Sequence, residues 1–396
     1  MRVTQNIDQT QFLASINALE TSINQTQNQV SSGQSFSTAS QDPIAAGRVN
    51  SFNQALAQSQ QYATNAASAQ TNLNTEDSAL SQVQSQLQSL RDLALEANSG
   101  ALTNTDRTAI AQQAVQIQNS LLDLANTQNG NGEYIFSGFA TQTQAFTLGA
   151  GGATYNGDQG QRQVQIAAGQ TVADGDNGNT VFNQIKTGNG TFTVSPNAAN
   201  TGSGIVGATT VANPAAWDGG TYSINFSAPG TYQVLEGATV VTSGSYTDGD
   251  TIAFNGVQVT LSGTPAAGDS FTVAPSTNQS LFTSVQNLVT ALQSGASSTA
   301  SSTALGNAIN ESINNIDQAL AQTSNVRASI GGRLNSITTQ QSVATTQQTQ
   351  LQQSIASLQS LDYAKAITTL DQQNTTLSAA LQAYTQTQGL SLFKYI

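Results

Sequence analysis

From Phe12 onward the large apolar side chains fall at Phe12, Ile16, Leu19, Ile23 and Val30, spaced by 4, 3, 4 and 7 with polar residues between them. That period predicts a helix with one narrow apolar seam of the coiled-coil kind. The seam stops at Gly33, inside "SSGQSFSTASQDP", and Asp42-Pro43 then offers a new start, Asp as cap and Pro as first helical residue. A second helix is expected from about Ile44 to Ala97, its seam running through Leu73, Leu80, Val83, Leu87 and Leu90. After "NSGALTNTDR", with Thr105 as the expected cap, a third carries Ile110, Ala114, Ile117, Leu121 and Leu124 and stops near "TQNGNG" at 127–132.

At about residue 133 the helical period disappears. Short alternating runs punctuated by glycine take over: "QVQIA" (163–167), "TFTV" (191–194), "TYSINF" (221–226), "TIAFNGVQVTL" (251–261) and "SFTV" (270–273). Asn255-Gly256 between two such runs signals a two-residue hairpin. "NGTFTVSPN" (189–197) and "GDSFTVAPS" (268–276) are alike, which fits either two similar β units or a recurrent strand-and-turn chemistry.

Helical spacing returns at about 281. Ile309, Ile313, Ile316 and Leu320 repeat 4, 3, 4, and the phase continues at Ile330, Leu334, Ile337, Leu351, Ile355 and Leu358. After Asp362 it slips by one position to Tyr363, Ile367, Leu370, Leu377, Leu381 and Tyr384, which turns the stripe. Gly331-Gly332 interrupts a periodic stretch and reads as a close approach of another helix in preference to a hinge. The expected fold is α+β: an elongated antiparallel helical rod with coiled-coil-like terminal helices and an inserted all-β domain. Its expected parts are an N-terminal arm and loop (1–41), a rod segment (42–132), the β insertion (133–277), a second rod segment (278–360) and a C-terminal helix (361–396).

Composition narrows the chemistry. There is no cysteine and no histidine, which removes disulfides, thiolate sites, the commonest general base and the commonest metal ligand. A net charge of -12 with ten Lys and Arg argues against a nucleic-acid or anionic-membrane surface. Only 8% of residues are charged, so solubility rests on Gln, Asn, Ser and Thr, which are cheaper than charges to bury in an assembly. No run of about 18 apolar residues occurs and no cleavable leader is evident, so the expectation is a chain that stays cytoplasmic or is exported uncleaved.

Two places invite a site. "DGDNG" (174–178) and "TDGDT" (247–251) approach a cation loop but lack its full ligand set, and turn chemistry is the better reading. Glu76 with Asp77, and Asp92 with Glu96, are possible carboxylate pairs, read here as solvated helix face. The first arm has only five large apolar side chains along its seam, about 1.5–3 kcal/mol each when buried, against about 1–2 kcal/mol of backbone entropy per ordered residue. Such an arm needs partners, namely the last helix and neighbouring subunits.

Three stretches carry a resemblance. "VSSGQSFSTASQDPIAAGRV" (30–49), "NGNGEYIFSG" (129–138) and "LDYAKAITTLDQQNTTLSAALQAYTQTQGLSLFKYI" (361–396) resemble the bacterial flagellin-like superfamily, in its branch of hook-associated junction proteins. The likeness covers roughly residues 1–140 and 280–396. Pro43 and the ending "SLFKYI" separate the chain from true flagellins, the filament subunits that are the nearest alternative; a secreted coiled-coil adhesin with a β binding module is another. Gln41, Ala145 and Lys394 depart from the usual pattern.

The resemblance implies a structural role without enzyme activity, cofactor or metal. It implies export through the flagellar apparatus, a ring of about eleven copies, hook-associated protein 1 and flagellin as neighbours, and an export chaperone that holds the C-terminal region. Assembly contacts are expected at Phe12, Ile16, Leu19, Ile23, Val30, Gly33, Asp42 and Pro43. On the C-terminal side they are expected at Tyr363, Ile367, Leu370, Leu377, Leu381, Tyr384, Leu392 and Phe393, the Phe12–Ile23 seam facing Ile367, Leu370, Leu377 and Leu381. Bulky side chains at Gly33 or Ala45 are expected to disturb assembly more than folding.

Overall fold

A computed structural model describes residues 2–149 and 152–389. They fall into two compact units, the smaller drawn from the described residues of Met1–Thr64 and Gln340–Ile396 and the larger from those of Asn65–Thr339. The helices are α1 (Arg2–Ser32), α2 (Pro43–Ala97), α3 (Asn104–Ala125), α4 (Leu281–Ser294), α5 (Thr299–Gln359) and α6 (Tyr363–Gly389). Between α3 and α4 lie the strands β1 (Phe146–Gly149), β2 (Gly152–Tyr155), β3 (Gln163–Ala167), β4 (Gln170–Ala173), β5 (Ile185–Lys186), β6 (Phe192–Pro196) and β7 (Ile205–Val211). They continue with β8 (Tyr222–Ala228), β9 (Thr231–Glu236), β10 (Thr239–Ser245), β11 (Thr251–Phe254), β12 (Val257–Ser262), β13 (Ser270–Pro275) and β14 (Asn278–Gln279).

In the larger unit the 3–4 seam of α2 is fully covered: Leu73, Leu80, Val83, Leu87 and Leu90 pack with Ile110, Leu121, Leu288, Ile309, Ile316, Ile330 and Ile337 in one core. Polar pairs fix α2 and α5 in antiparallel register. Arg327 Nε donates to Asp77 at 2.8 Å, Gln84 to Ser324 at 2.7 Å, and Arg91 Nε to Asp317 at 2.6 Å. The cap of α3 is Thr103 rather than Thr105. Its hydroxyl accepts from Asp106 N–H while Asp106 accepts from Thr103 N–H, a reciprocal box that Thr105, with no carboxylate three residues on, cannot form.

All strand pairs are antiparallel, including a five-stranded sheet in the order β10-β9-β8-β13-β6 and a three-stranded sheet β11-β12-β7. Phe192, Tyr222, Ile224, Phe226, Val259, Leu261, Phe271 and Val273 form their shared core. Asn255 and Gly256 both have positive φ, 40° and 78°, as the tight β11–β12 hairpin requires. The two look-alike segments are neighbours: β6 pairs with β13 so that Phe192 faces Pro275, Val194 faces Val273 and Pro196 faces Phe271. Their likeness is therefore a local two-fold pairing of one strand motif with itself.

Gly331 and Gly332 lie inside α5, and a methyl on either would meet nothing within 4 Å. Among the described residues no other helix comes within 4 Å of such a methyl, so the expected close approach is not found within the chain.

Candidate assembly surface

The smaller unit is built on α1 against α6, antiparallel. Phe12 stacks on Tyr384 with ring centroids 4.7 Å apart and planes within 5°. Gln9 Nε2 donates to the Tyr384 hydroxyl at 3.2 Å, and further along Gln373 Nε2 donates to Ser22 Oγ at 2.8 Å. On α1 the expected positions Phe12, Ile16, Leu19, Ile23 and Val30 are covered, and Thr26 is buried between the last two. On α6 they are Ala366, Leu370, Gln373, Leu377, Ala380 and Tyr384.

That second row differs from the expected one. Tyr363, Ile367 and Leu381 are exposed. A seam sought among large apolar residues misses Ala366, Gln373 and Ala380, which are covered although small or polar. The stripe facing α1 keeps Leu370, Leu377 and Tyr384 of the expected row, and Ile367 and Leu381 are left on the outer flank. Leu392 and Phe393 lie outside the described residues.

The breaks at 33–42 and 360–362 are tied together. Ser35 N–H donates to the Gln359 carbonyl at 2.8 Å, Leu361 N–H to Gly33 O at 3.0 Å, and Ser35 Oγ to Leu358 O at 3.1 Å. Phe36, Ala45 and Val49 form a small core with Ile355 and Leu358. Asp42 Oδ1 accepts from Ala45 N–H at 2.9 Å and Pro43 opens α2, as their order suggests. Across the gap Asp362 Oδ1 accepts from Lys365 N–H at 3.1 Å, so the slip in periodicity is a helix end and a fresh, capped start. Gly33 has φ 71°, and a Cβ there would stand 2.8 Å from the Tyr363 hydroxyl. Both Gly33 and Ala45 are thus engaged within the chain, Gly33 by its left-handed backbone beside Tyr363 and Ala45 in the small core.

Within the larger unit the motif at 129–138 shapes the entry to the β region. Asn129 Oδ1 accepts from Asn131 and Glu133 N–H, and Phe136 is buried edge-on against Phe182. Phe146 and Phe282 complete this aromatic cluster. Tyr155 hydroxyl donates to Phe136 O and Asp158 O; burial, with the nearby Asp158 charge, pushes it up to about 12.

The acidic candidates separate. In "TDGDT", Asp250 accepts from Thr247 N–H and Oγ1, and Asp248 accepts from Gly263 N–H, so these carboxylates serve the turn. Asp92 and Glu96 are exposed beside a shallow groove floored by Leu93 and Ile117. Asp77 pairs with Arg327. Glu76 is not solvated at all: it is buried, with Asp176 of "DGDNG" beside it. Among the described residues no group of acidic side chains is arranged to hold a metal ion.

Comparison with known proteins bears on this geometry. Residues 3–141 match the model of the bacterial flagellin N-terminal helical region, and 313–396 that of its C-terminal helical region. Residues 195–275 match a D2-like domain of flagellar hook-associated protein 1. Flagellar hook-associated protein 3 of Salmonella typhimurium is 35% identical over 157 residues, 40% of this chain and 49% of that protein, so the chain spans about half the length of the curated relatives it matches. The crystal structure of Xanthomonas campestris FlgL is 34% identical, with TM-score 0.70, covering 75% of this chain and 98% of that one. The flagellar junction protein FlgL from Legionella pneumophila gives 30% identity and TM-score 0.72, with 79% and 100% coverage.

Proposed function

The chain belongs to the flagellin-like family, in its hook-associated protein 3 branch, and on that footing we propose that it is a structural adapter joining the flagellar hook to the filament. Hook-associated protein 1 is its neighbour on the hook side and flagellin on the filament side. The observation that carries this reading is the apolar surface of the smaller unit. Leu13, Ile44, Val343, Tyr363, Ile367 and Leu381 are exposed there, among side chains that are mostly Gln, Ser and Thr, cheaper to desolvate than charges, with a few charged ones such as Asp42, Lys365 and Asp371 between them. Neighbouring chains of the same fold are the natural cover for such a surface.

In this reading the end segments 1–41 and 361–396 are the assembly segments. Phe12, Ile16, Leu19, Ile23, Leu370, Leu377 and Tyr384 bind α1 to α6, and Tyr363, Ile367 and Leu381 face other subunits. A closed ring of about eleven copies fits a head-to-tail contact that closes. Export without cleavage, with a chaperone on the C-terminal region that includes Leu392 and Phe393, belongs to the same proposal. So does the absence of catalysis, which rests on the lack of His and Cys and on the structural use of the buried carboxylates.

The test is a pull-down of the purified chain against hook-associated protein 1 and flagellin, with electron microscopy of flagella from a strain lacking it. Capture of both, and hooks without filaments in that strain, is the expected result. A chain that captures neither, in a strain with normal filaments, overturns the proposal.

A further inference from the structure

The loop 174–178, whose sequence comes nearest to a cation site, is seated instead on a buried acid. Glu76 of α2 is 1% exposed. Its Oε1 accepts from Asp176 N–H at 3.2 Å, and its Oε2 is enclosed without a hydrogen-bond partner. The Asp176 carboxylate is held by Arg333 of α5 and by Gln161 Nε2 at 2.7 Å. Asp176 and Arg333 are thus the charged groups that face Glu76. Beyond them Asp174 is engaged by Asn72 and Arg162, Glu133 also reaches Arg162, and Asp77 turns away to Arg327.

One guanidinium beside two carboxylates, with Glu76 itself closed to water, leaves a surplus of negative charge. An ionised Glu76 with one oxygen unpaired costs more than its single N–H contact returns. A proton on that carboxyl removes the surplus and makes Glu76 a donor to Asp176. Burial first, then the charge of Asp176, pushes Glu76 well above the ordinary carboxylate range, with Arg333 opposing them.

We propose that Glu76 and Asp176 share one proton in an acid–carboxylate latch that seats the 174–178 loop on α2 and α5 and releases it when that proton is lost. The loop links β4 to the turn that carries Phe182 of the aromatic cluster, so the latch secures the entry to the β region. This inference does not draw on the assembly role.

The sign follows from linkage. The seated loop keeps a proton that the released loop gives up once pH exceeds about 4.3, the ordinary value for glutamate. Release therefore becomes about tenfold more favourable per pH unit until the seated Glu76 itself ionises, and is level above that point. The seating is strongest in acid and weakens as pH rises.

The experiment is amide exchange of residues 174–178 in the full chain from about pH 5 to about pH 8, corrected for the intrinsic rate. Protection in the native chain is expected to fall by up to about tenfold per unit, and to stay level in Glu76→Gln, which keeps shape and donor without a titrating proton. A level native profile, or a Gln variant with the native slope, overturns the latch. Should the variant not fold, carbon-13 carboxyl NMR of the six glutamates in the native chain decides. A Glu76 signal still protonated at neutral pH supports the latch, and one that titrates with the exposed glutamates overturns it.

Discussion

The two units use the same 3–4 spacing to different depths. In the larger unit Leu73, Leu80, Val83, Leu87 and Leu90 of α2 are all wholly buried, because α3, α4 and α5 contribute to the same core. In the smaller unit α1 packs chiefly on α6: Ile16 and Ile23 are buried, while Phe12, Leu19, Leu370 and Leu377 are half-covered. An apolar seam records that a helix has a partner without recording how many. The number of partners decides whether the seam holds a fold by itself or waits for further chains.

The sharpest test of that difference is truncation of one leucine in each unit. Leu80→Ala is expected to cost about 2–5 kcal/mol in denaturant unfolding, since a wholly buried leucine leaves both lost transfer energy and a cavity. Leu377→Ala removes a half-covered side chain and is expected to cost less than about half as much, its main effect being on polymer formation. Equal losses would mean that α6 is as well packed in the single chain as α2. Amide exchange at low concentration refines this: α1 and α6 are expected to open at lower free energy than the core of α2. Uniform protection along the chain would erase the distinction.

Next in size is Gly33→Ala. A left-handed φ costs a non-glycine residue about 1–2 kcal/mol, and the new Cβ meets the Tyr363 hydroxyl. Proteolysis of the helix ends is expected to quicken. Adding Tyr363→Phe, which removes the oxygen 2.8 Å away, should restore the steric part and leave the backbone part. No recovery in the double variant would mean that the hydroxyl moves aside at no cost. Asp42→Ala follows, at about 1 kcal/mol for a lost cap, read as a lower unfolding midpoint.

The sequence was most readable where large side chains repeat. α2, begun by Asp42-Pro43, and the Asn255-Gly256 hairpin stand where their residues place them. It was least readable where small or amide residues set the contact, as at Ala366, Gln373 and Ala380, because apolar size was the signal sought. In β9 and β10 half-exposed side chains blur the alternation that marks a strand. The burial of Glu76 is hidden for a different reason. A glutamate among polar neighbours on a long helix looks solvated, and nothing local shows that a loop a hundred residues away covers it. The local signal was present in "DGDNG", but only the fold brings the two together.

The smallest effect on the single chain, and the most telling for the comparison, belongs to Ile367→Ser and Leu381→Ser. Both side chains are exposed, so little apolar surface returns to water on unfolding. Each change is expected to alter monomer stability by no more than about 0.5 kcal/mol. If this flank meets other subunits, the same changes place a hydroxyl in each contact and lose its apolar cover, so polymer formation and capture of partner proteins should fall while the unfolding midpoint stays put. A serine pair that lowers the midpoint instead would show that these residues already have partners within the chain. A pair that leaves both readings unchanged would move the assembly surface off α6 and back to the rim around Ile44, where the next substitution belongs.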